Sequence, residues 1–494
     1  MSATLPASGT RTARAASAVH PGYRTLWRWH FYAGLFVMPF LIVLAITGTI
    51  YCFQPQIEPL LYPHRLVVTP QESPRLPADD LLARARASQP ADAKPIRAHI
   101  DTNPARSAEF VFALANGSKE SVYLNPYSGD VLGTLDVDSR FMQVDRMLHR
   151  KLLLGKPGEL LMELAACWTL VMIGTGVALW WPRRASAADR KRATLRAALW
   201  PHLGATGRPF WKSLHSVIGI WLAVGALAFV VSGLPWTGSW GKQFKALATR
   251  VNAGAPRGAW GGGLPLKSAP PAAPMDHSEH AGHDMSSMPG MVMDDLPLPN
   301  VPWAVGAVRV PQSPAAATHE SVRFTLDQVV QRMGALGVAS GYDIALPSTA
   351  TGVYTVSYFP SDPQRERTVY IDQYSGRILK DIRYADYGAV SQVISYGTSL
   401  HMGRYFGLAN QVICTAISLG LAALAVTGVV MWWLRRPGRT VGAPSRERAA
   451  PPMRAWKAGL AMLAVIFPLM GATIVAVLLL DRLIFGTPRT LSVS

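Results

Sequence analysis

Four histidines, His30, His149, His215 and His401, stand at the ends of apolar stretches, and the chain places them by repetition. Leu148-His149 is followed by Gly155, Thr175-Gly176, Trp180-Trp181 and Arg183-Arg184. Leu400-His401 is followed by Gly407, Thr427-Gly428, Trp432-Trp433 and Arg435-Arg436, every pair 252 positions apart. His30, Gly34, Thr47 and Gly48 match His215, Gly219, Ser232 and Gly233 at a constant offset of 185. The protein is therefore read as two copies of one unit, each with two histidines. An ionisable side chain at the edge of a membrane helix marks a functional site by default, and neutral imidazole is the commonest metal ligand. The bland alternative is that such histidines snorkel or cap helix ends beside interfacial Trp and Tyr. Four of them at repeat-equivalent positions favour ligation, with His30 pairing with His215 at one face and His149 with His401 at the other.

A second constellation has a different chemistry. His277, His280 and His283 recur every three residues and are followed by Met285, Met288, Met291 and Met293. Thioethers favour Cu(I), whereas imidazole also takes Cu(II), Zn(II) or Ni(II), so the stretch is expected to bind copper. A drifted linker composition is the competing explanation.

These residues need elements to hold them. Runs 31–53, 164–181, 213–240, 405–434 and 458–480 are apolar, free of Asp, Glu, Lys and Arg, and about as long as the roughly 20 residues that cross a bilayer. Helices are the expected form, because a barrel would show short alternating segments. The formal charge of +18 would suggest nucleic acid in a soluble protein, but here it sets topology. Segments 1–26, 183–210 and 435–456 are basic and are expected in the cytoplasm. No nucleic-acid partner is expected. The spans are 27–53, 158–182, 211–240, 404–434 and 457–481. Outside lie 54–157, 241–320, 321–403 and a tail at 482–494. The first span is read as a retained signal anchor. Cys52, Cys167 and Cys414 all fall in membrane runs, so no disulfide framework supports the outer segments.

The outer segments 54–157 and 321–403 follow one scheme. A short helix precedes strand-like runs, and a tight turn (Asn125 to Gly129, and again Asp372 to Gly376) joins the last two strands. Each is expected to be a small α+β module, ending in an amphipathic stretch that delivers a histidine to the next span. Segment 241–320 is rich in Pro, Gly, Ala, His and Met without periodicity and is expected to be a disordered insertion.

Trp29-His30 with Gly34, Leu148-His149 with Gly155, Thr175-Gly176 and Trp180-Trp181 with Arg183-Arg184, together with the paired Tyr-Ser-Gly turns outside, resemble the PepSY-associated transmembrane proteins. These are iron-regulated inner-membrane proteins that include siderophore reductases. The likeness covers about residues 20–440. The fifth helix and the His/Met insertion lie outside it. The likeness implies a bacterial α-helical inner-membrane protein with a four-helix di-haem core and two periplasmic α+β PepSY-like modules. It also implies b-type haem and reduction of a metal complex in the periplasm. Two histidines on one haem leave no open position, which suits electron transfer rather than oxygen binding. Two bis-histidine haems are expected, on His30 with His215 and on His149 with His401.

The cytoplasmic loops lack a Gly-rich dinucleotide fingerprint, so the electron donor is expected to be a separate protein or a membrane quinol. No HExxH helix, Walker loop or Ser/His/Asp arrangement favours proteolysis or ATP-driven transport. The alternative function is a PepSY-type binding or regulatory module on a membrane scaffold without redox activity. His64, His99, His202 and His319 have no repeat partner and are assigned no ligand role. The glycines at 48, 176, 233 and 428 are expected to serve helix packing.

Overall fold

The computed structural model describes residues 22–181, 199–256, 291–313, 323–436, 442 and 453–485. Among them, four helices are long and apolar enough to cross a membrane. They are α1 (Tyr23–Cys52), α6 (Gly155–Trp180), α7 (Arg208–Gly233) and α11 (Leu408–Trp433). The chain divides into two compact units, and the division falls inside each of these helices. One unit comprises Met1–Phe36, Trp168–Trp221 and Thr427–Ser494; the other comprises Val37–Cys167 and Leu222–Val426.

The second unit holds short helices α2 (Gln54–Leu61), α3 (Pro63–Leu66) and α4 (Ala78–Ala87), then strands β1 (Lys94–Ile100), β2 (Ala108–Ala113), β3 (Lys119–Leu124) and β4 (Val131–Asp136). Helix α5 (Phe141–Lys151) follows. After α7 come α8 (Trp240–Arg250), α9 (Leu326–Ala335), β5 (Tyr342–Ala345), β6 (Val353–Tyr358), β7 (Arg367–Asp372), β8 (Ile378–Arg383) and α10 (Ala389–His401). The eight strands form one antiparallel sheet in the order β4-β3-β2-β1-β5-β6-β7-β8. The two expected modules are thus halves of one sheet, joined where β1 pairs with β5, Ala98 opposite Ile344. Alternation explains its faces. Ala98, Phe110, Phe112, Val122, Ile344, Val356 and Val369 point to one side and bury Leu81 and Ala85 of α4 with Leu326, Val329 and Met333 of α9. Gly129 and Gly376 take the positive φ (+78° and +66°) that the two tight turns demand.

The other sheet face revises the reading of 241–320. Trp240–Arg250 is helical, and residues 291–313 pack on the sheet: Met291, Met293, Val305 and Val308 cluster with Ala345, Val353, Tyr370 and Ile382. Composition misled here because apolar residues spaced for an irregular covering strap show no period. Residues 257–290 and 314–322 lie outside the described residues.

The first unit corrects the expected fifth span. Residues 457–481 do not form one helix but belong to α12 (Arg454–Ile466) and α13 (Pro468–Phe485). Pro468 removes a backbone donor and disfavours helical geometry at Phe467, which adopts φ −120°, ψ 85°. The chain then folds back. A Cβ on Gly471 would lie 3.2 Å from the Ala464 Cβ, two residues a straight helix would separate by two turns. Trp456 meets Trp29 edge-on at 6.0 Å, and at the same end of α1 Asp481 accepts from Arg28 and from Tyr32 (2.9 Å). Midway, the Trp168 indole donates to Thr473 at 3.0 Å. Both ends of the hairpin therefore stand at the end of α1 that bears Arg28.

Candidate metal-ligating histidine pairs

In the first unit, His30 on α1 faces His215 on α7, ring centres 6.2 Å apart and planes at 86°. Each ring is held by the helix that closes its own repeat. His30 Nδ1 lies 3.0 Å from the Thr175 hydroxyl of α6, and His215 Nδ1 lies 2.8 Å from the Thr427 hydroxyl of α11. The following glycine makes room for the ring. A Cβ at Gly176 would approach His30 Cε1 to 3.3 Å, and one at Gly428 would reach His215 Cε1 at 3.8 Å.

The second unit repeats the arrangement with its own residues. His149 is in the last turn of α5 and His401 is the last residue of α10. Their ring centres are 6.4 Å apart with planes at 84°. His149 Nδ1 is 2.8 Å from the Thr47 hydroxyl of α1, and His401 Nδ1 is 2.9 Å from the Ser232 hydroxyl of α7. Gly48 and Gly233 stand against the two rings, 3.4 and 3.5 Å from Cε1 to where a Cβ would be. Leu152, Leu153 and Gly155 all have positive φ, so α5 ends and turns before α6 begins, as the Gly-Lys-Pro-Gly sequence implies. His149 and His401 therefore lie on helices that precede the membrane spans.

The hydroxyls fix the tautomer. Thr47, Thr175 and Ser232 each donate to a carbonyl one turn earlier, on Val43 (2.7 Å), Val171 (2.6 Å) and Ala228 (2.6 Å). Each oxygen is then left as the acceptor, so Nδ1 of His149, His30 and His401 carries the proton and Nε2 keeps the lone pair. That is the arrangement of a metal-ligating histidine with a supporting partner on its other nitrogen. Burial also lowers the pKa of His149 to about 3 and that of His401 to about 4, keeping both rings neutral.

The Thr/Ser-Gly dipeptides are thus more than packing positions. Their 252- and 185-residue offsets were readable, but a hydroxyl's aim is a tertiary fact. Of the other histidines, His99 pairs with Asp343 at 3.1 Å on the β1–β5 seam, where Arg97 also bonds Glu109. His277, His280, His283, Met285 and Met288 lie outside the described residues, as does His319. Met291 and Met293 are core residues instead, Met293 fully buried and accepting from the Tyr370 hydroxyl at 3.5 Å.

Comparison with curated proteins returns no match. The family model described as the PepSY-associated TM region matches residues 27–435, ending before the α12–α13 hairpin. With most of its length matched, including all four paired histidines, the chain belongs to the PepSY-associated transmembrane family.

Proposed function

We propose that the protein is an electron-transfer enzyme of the bacterial inner membrane, carrying two b-type haems on His30 with His215 and on His149 with His401. Electrons enter from a cytoplasmic protein or a membrane quinol. They leave on the periplasmic side to a metal or metal complex, a ferric siderophore or Cu(II). Bound haem would supply one-electron iron chemistry.

The carrying observation is the spacing of the rings. The ring centres of the two pairs stand 6.2 and 6.4 Å apart, so both imidazoles of each pair would be within reach of one haem iron held between them. The donor set agrees. Two imidazoles per site would hold the haem iron, with the porphyrin bringing its remaining ligands. The residues' part is to orient. Thr47, Thr175, Ser232 and Thr427 hold the rings by Nδ1. The glycines beside them keep the ring edges clear.

The test is a redox spectrum of the purified full chain with a haem count. A b-type spectrum that changes with dithionite, at two haems per chain, is expected. Colourless protein after haem-supplemented expression would overturn the proposal and leave the alternative, a PepSY-type binding or regulatory module on a membrane scaffold.

A further inference from the structure

Two buried thiols meet beside His401. Cys52 is the last residue of α1 and Cys414 lies in the second turn of α11. Both are buried. The Cys52 Sγ is 4.0 Å and the Cys414 Sγ 3.9 Å from one acceptor, the His401 carbonyl oxygen. Cys414 also donates to the Leu400 carbonyl at 3.2 Å. Gly403, at φ +70°, permits this approach; a Cβ there would sit 3.2 Å from the Cys52 Sγ and 3.3 Å from the Gln411 Cα.

The duplicated scaffold does not require these thiols. At the repeat offsets, Cys52 corresponds to Thr237 and Cys414 to Met162, so the pair exists at His401 and not at His149. A structural role common to both repeats therefore cannot account for it.

We propose that Cys52 and Cys414 are an oxidisable dithiol that closes to a disulfide, tying α1 of the first repeat to α11 of the second at the outer histidine. Each thiol gives up its proton and one electron, the two sulfurs join, and two Cu(II) ions each take one electron to become Cu(I). The two protons pass to water. Closure brings the sulfurs to about 2.05 Å and withdraws both S–H groups from the His401 carbonyl. A metal held by the same sulfurs is the weaker alternative. It needs buried thiolates, and the donor the structure offers to their charge is a neutral one, the Asn410 Nδ2, 3.3 Å from the Cys414 Sγ. A disulfide leaves no charge behind.

The test counts thiols in the full-length protein and does not depend on haem. Purified chain is treated with two equivalents of Cu(II), freed of metal with a chelator, denatured and alkylated. The reduced protein should take three alkyl groups, and the oxidised protein one, on Cys167. A linked peptide containing Cys52 and Cys414 should appear on digestion and vanish with a thiol reductant. Cys52→Ser and Cys414→Ser should each keep two alkylatable thiols after oxidation. Three alkylatable thiols in the oxidised wild type would overturn the proposal, whether or not copper had bound. So would an equal loss of thiols in Cys52→Ser, or a linked peptide containing Cys167. Should a serine variant fail to fold, the linked peptide from the wild type decides alone.

Discussion

Thr47 on α1 and His149 at the end of α5 meet at 2.8 Å, while the same hydroxyl donates to Val43 at 2.7 Å. The helix thus spends the threonine proton and leaves an acceptor that sets the imidazole tautomer. Supporting partners of this type change metal affinity by roughly 10–100-fold when removed. Thr47→Val keeps the shape and removes the acceptor. It should weaken haem binding at the outer pair by about that factor and shift that site's midpoint potential, with the inner site unchanged. Thr47→Ser should restore both. Titration of haem into the apoprotein with parallel potentiometry measures this, and a valine variant matching wild type in both would remove the hydroxyl from the site.

Pairing between repeats gives a sharper expectation. His30→Ala and His215→Ala should each abolish the same haem and spare the other, and His149→Ala and His401→Ala should do the converse. Haem counts on the four purified variants check it. A variant that retains two haems, or one that loses both, breaks the pairing.

The α12–α13 hairpin changes the expected topology. Its two ends flank the Arg28 end of α1, through Trp456 with Trp29 and Asp481 with Arg28. Reporter fusions after Arg192 and after Ser494 should therefore agree, both cytoplasmic, and a fusion after Ser361 should report the opposite side. A Ser494 fusion that agreed with Ser361 would restore a fifth span. Asp481→Ala should leave Arg28 buried without its carboxylate, a loss of about 3–5 kcal/mol by analogy with broken buried pairs.

How much of this was legible in the sequence depends on where each fact resides. The repeat offsets made His30, His149, His215 and His401 stand out, because a duplication writes its site twice. The strands and their glycine turns were readable because a period of two and a positive φ are local. The β1–β5 seam was not, since nothing near Ala98 names Ile344 as its neighbour. The hairpin was half readable. Pro468 is a visible helix breaker, but a hydropathy run cannot tell a span from two helices folded back on Trp168 and Arg28.

Glu366 supplies a pH signature outside the membrane spans. It is buried with its carboxylate accepting from Ser395 at 3.0 Å, and burial raises its pKa to about 7 against the opposing Ser395 bond and the Arg404 charge. In the unfolded chain its carboxyl titrates in the ordinary range near 4.5. Below that value both states are protonated and the stability is fully present. Between about 4.5 and 7 the unfolded chain ionises and the folded one does not, so stability falls as pH rises and levels off above 7. The loss is on the order of 3 kcal/mol. Glu366→Gln should lack this slope, so thermal melts at pH 5 and pH 8 should differ less than in wild type. Equal slopes would place the proton elsewhere.

The last prediction separates copper binding from folding within the His/Met stretch. Met293 is fully buried against Tyr370 and Ile382, and Met291 is in the same cluster. Truncating a buried methionine costs about 2–5 kcal/mol. Deleting residues 275–293 would therefore remove ligands and core together, and lost copper binding would have two explanations. Deleting 275–288 removes His277, His280, His283, Met285 and Met288 and leaves the core methionines in place. This shorter deletion should keep the melting temperature and haem content of wild type while reducing copper bound per chain, measured by metal analysis after dialysis. Met293→Ala should do the reverse, lowering the melting temperature and leaving copper binding intact. If the 275–288 deletion binds as much copper as wild type, the stretch is not a copper site. If binding falls while Cu(II) reduction and copper tolerance persist, the stretch buffers copper, and a ferric complex becomes the better candidate acceptor for electrons from the outer pair.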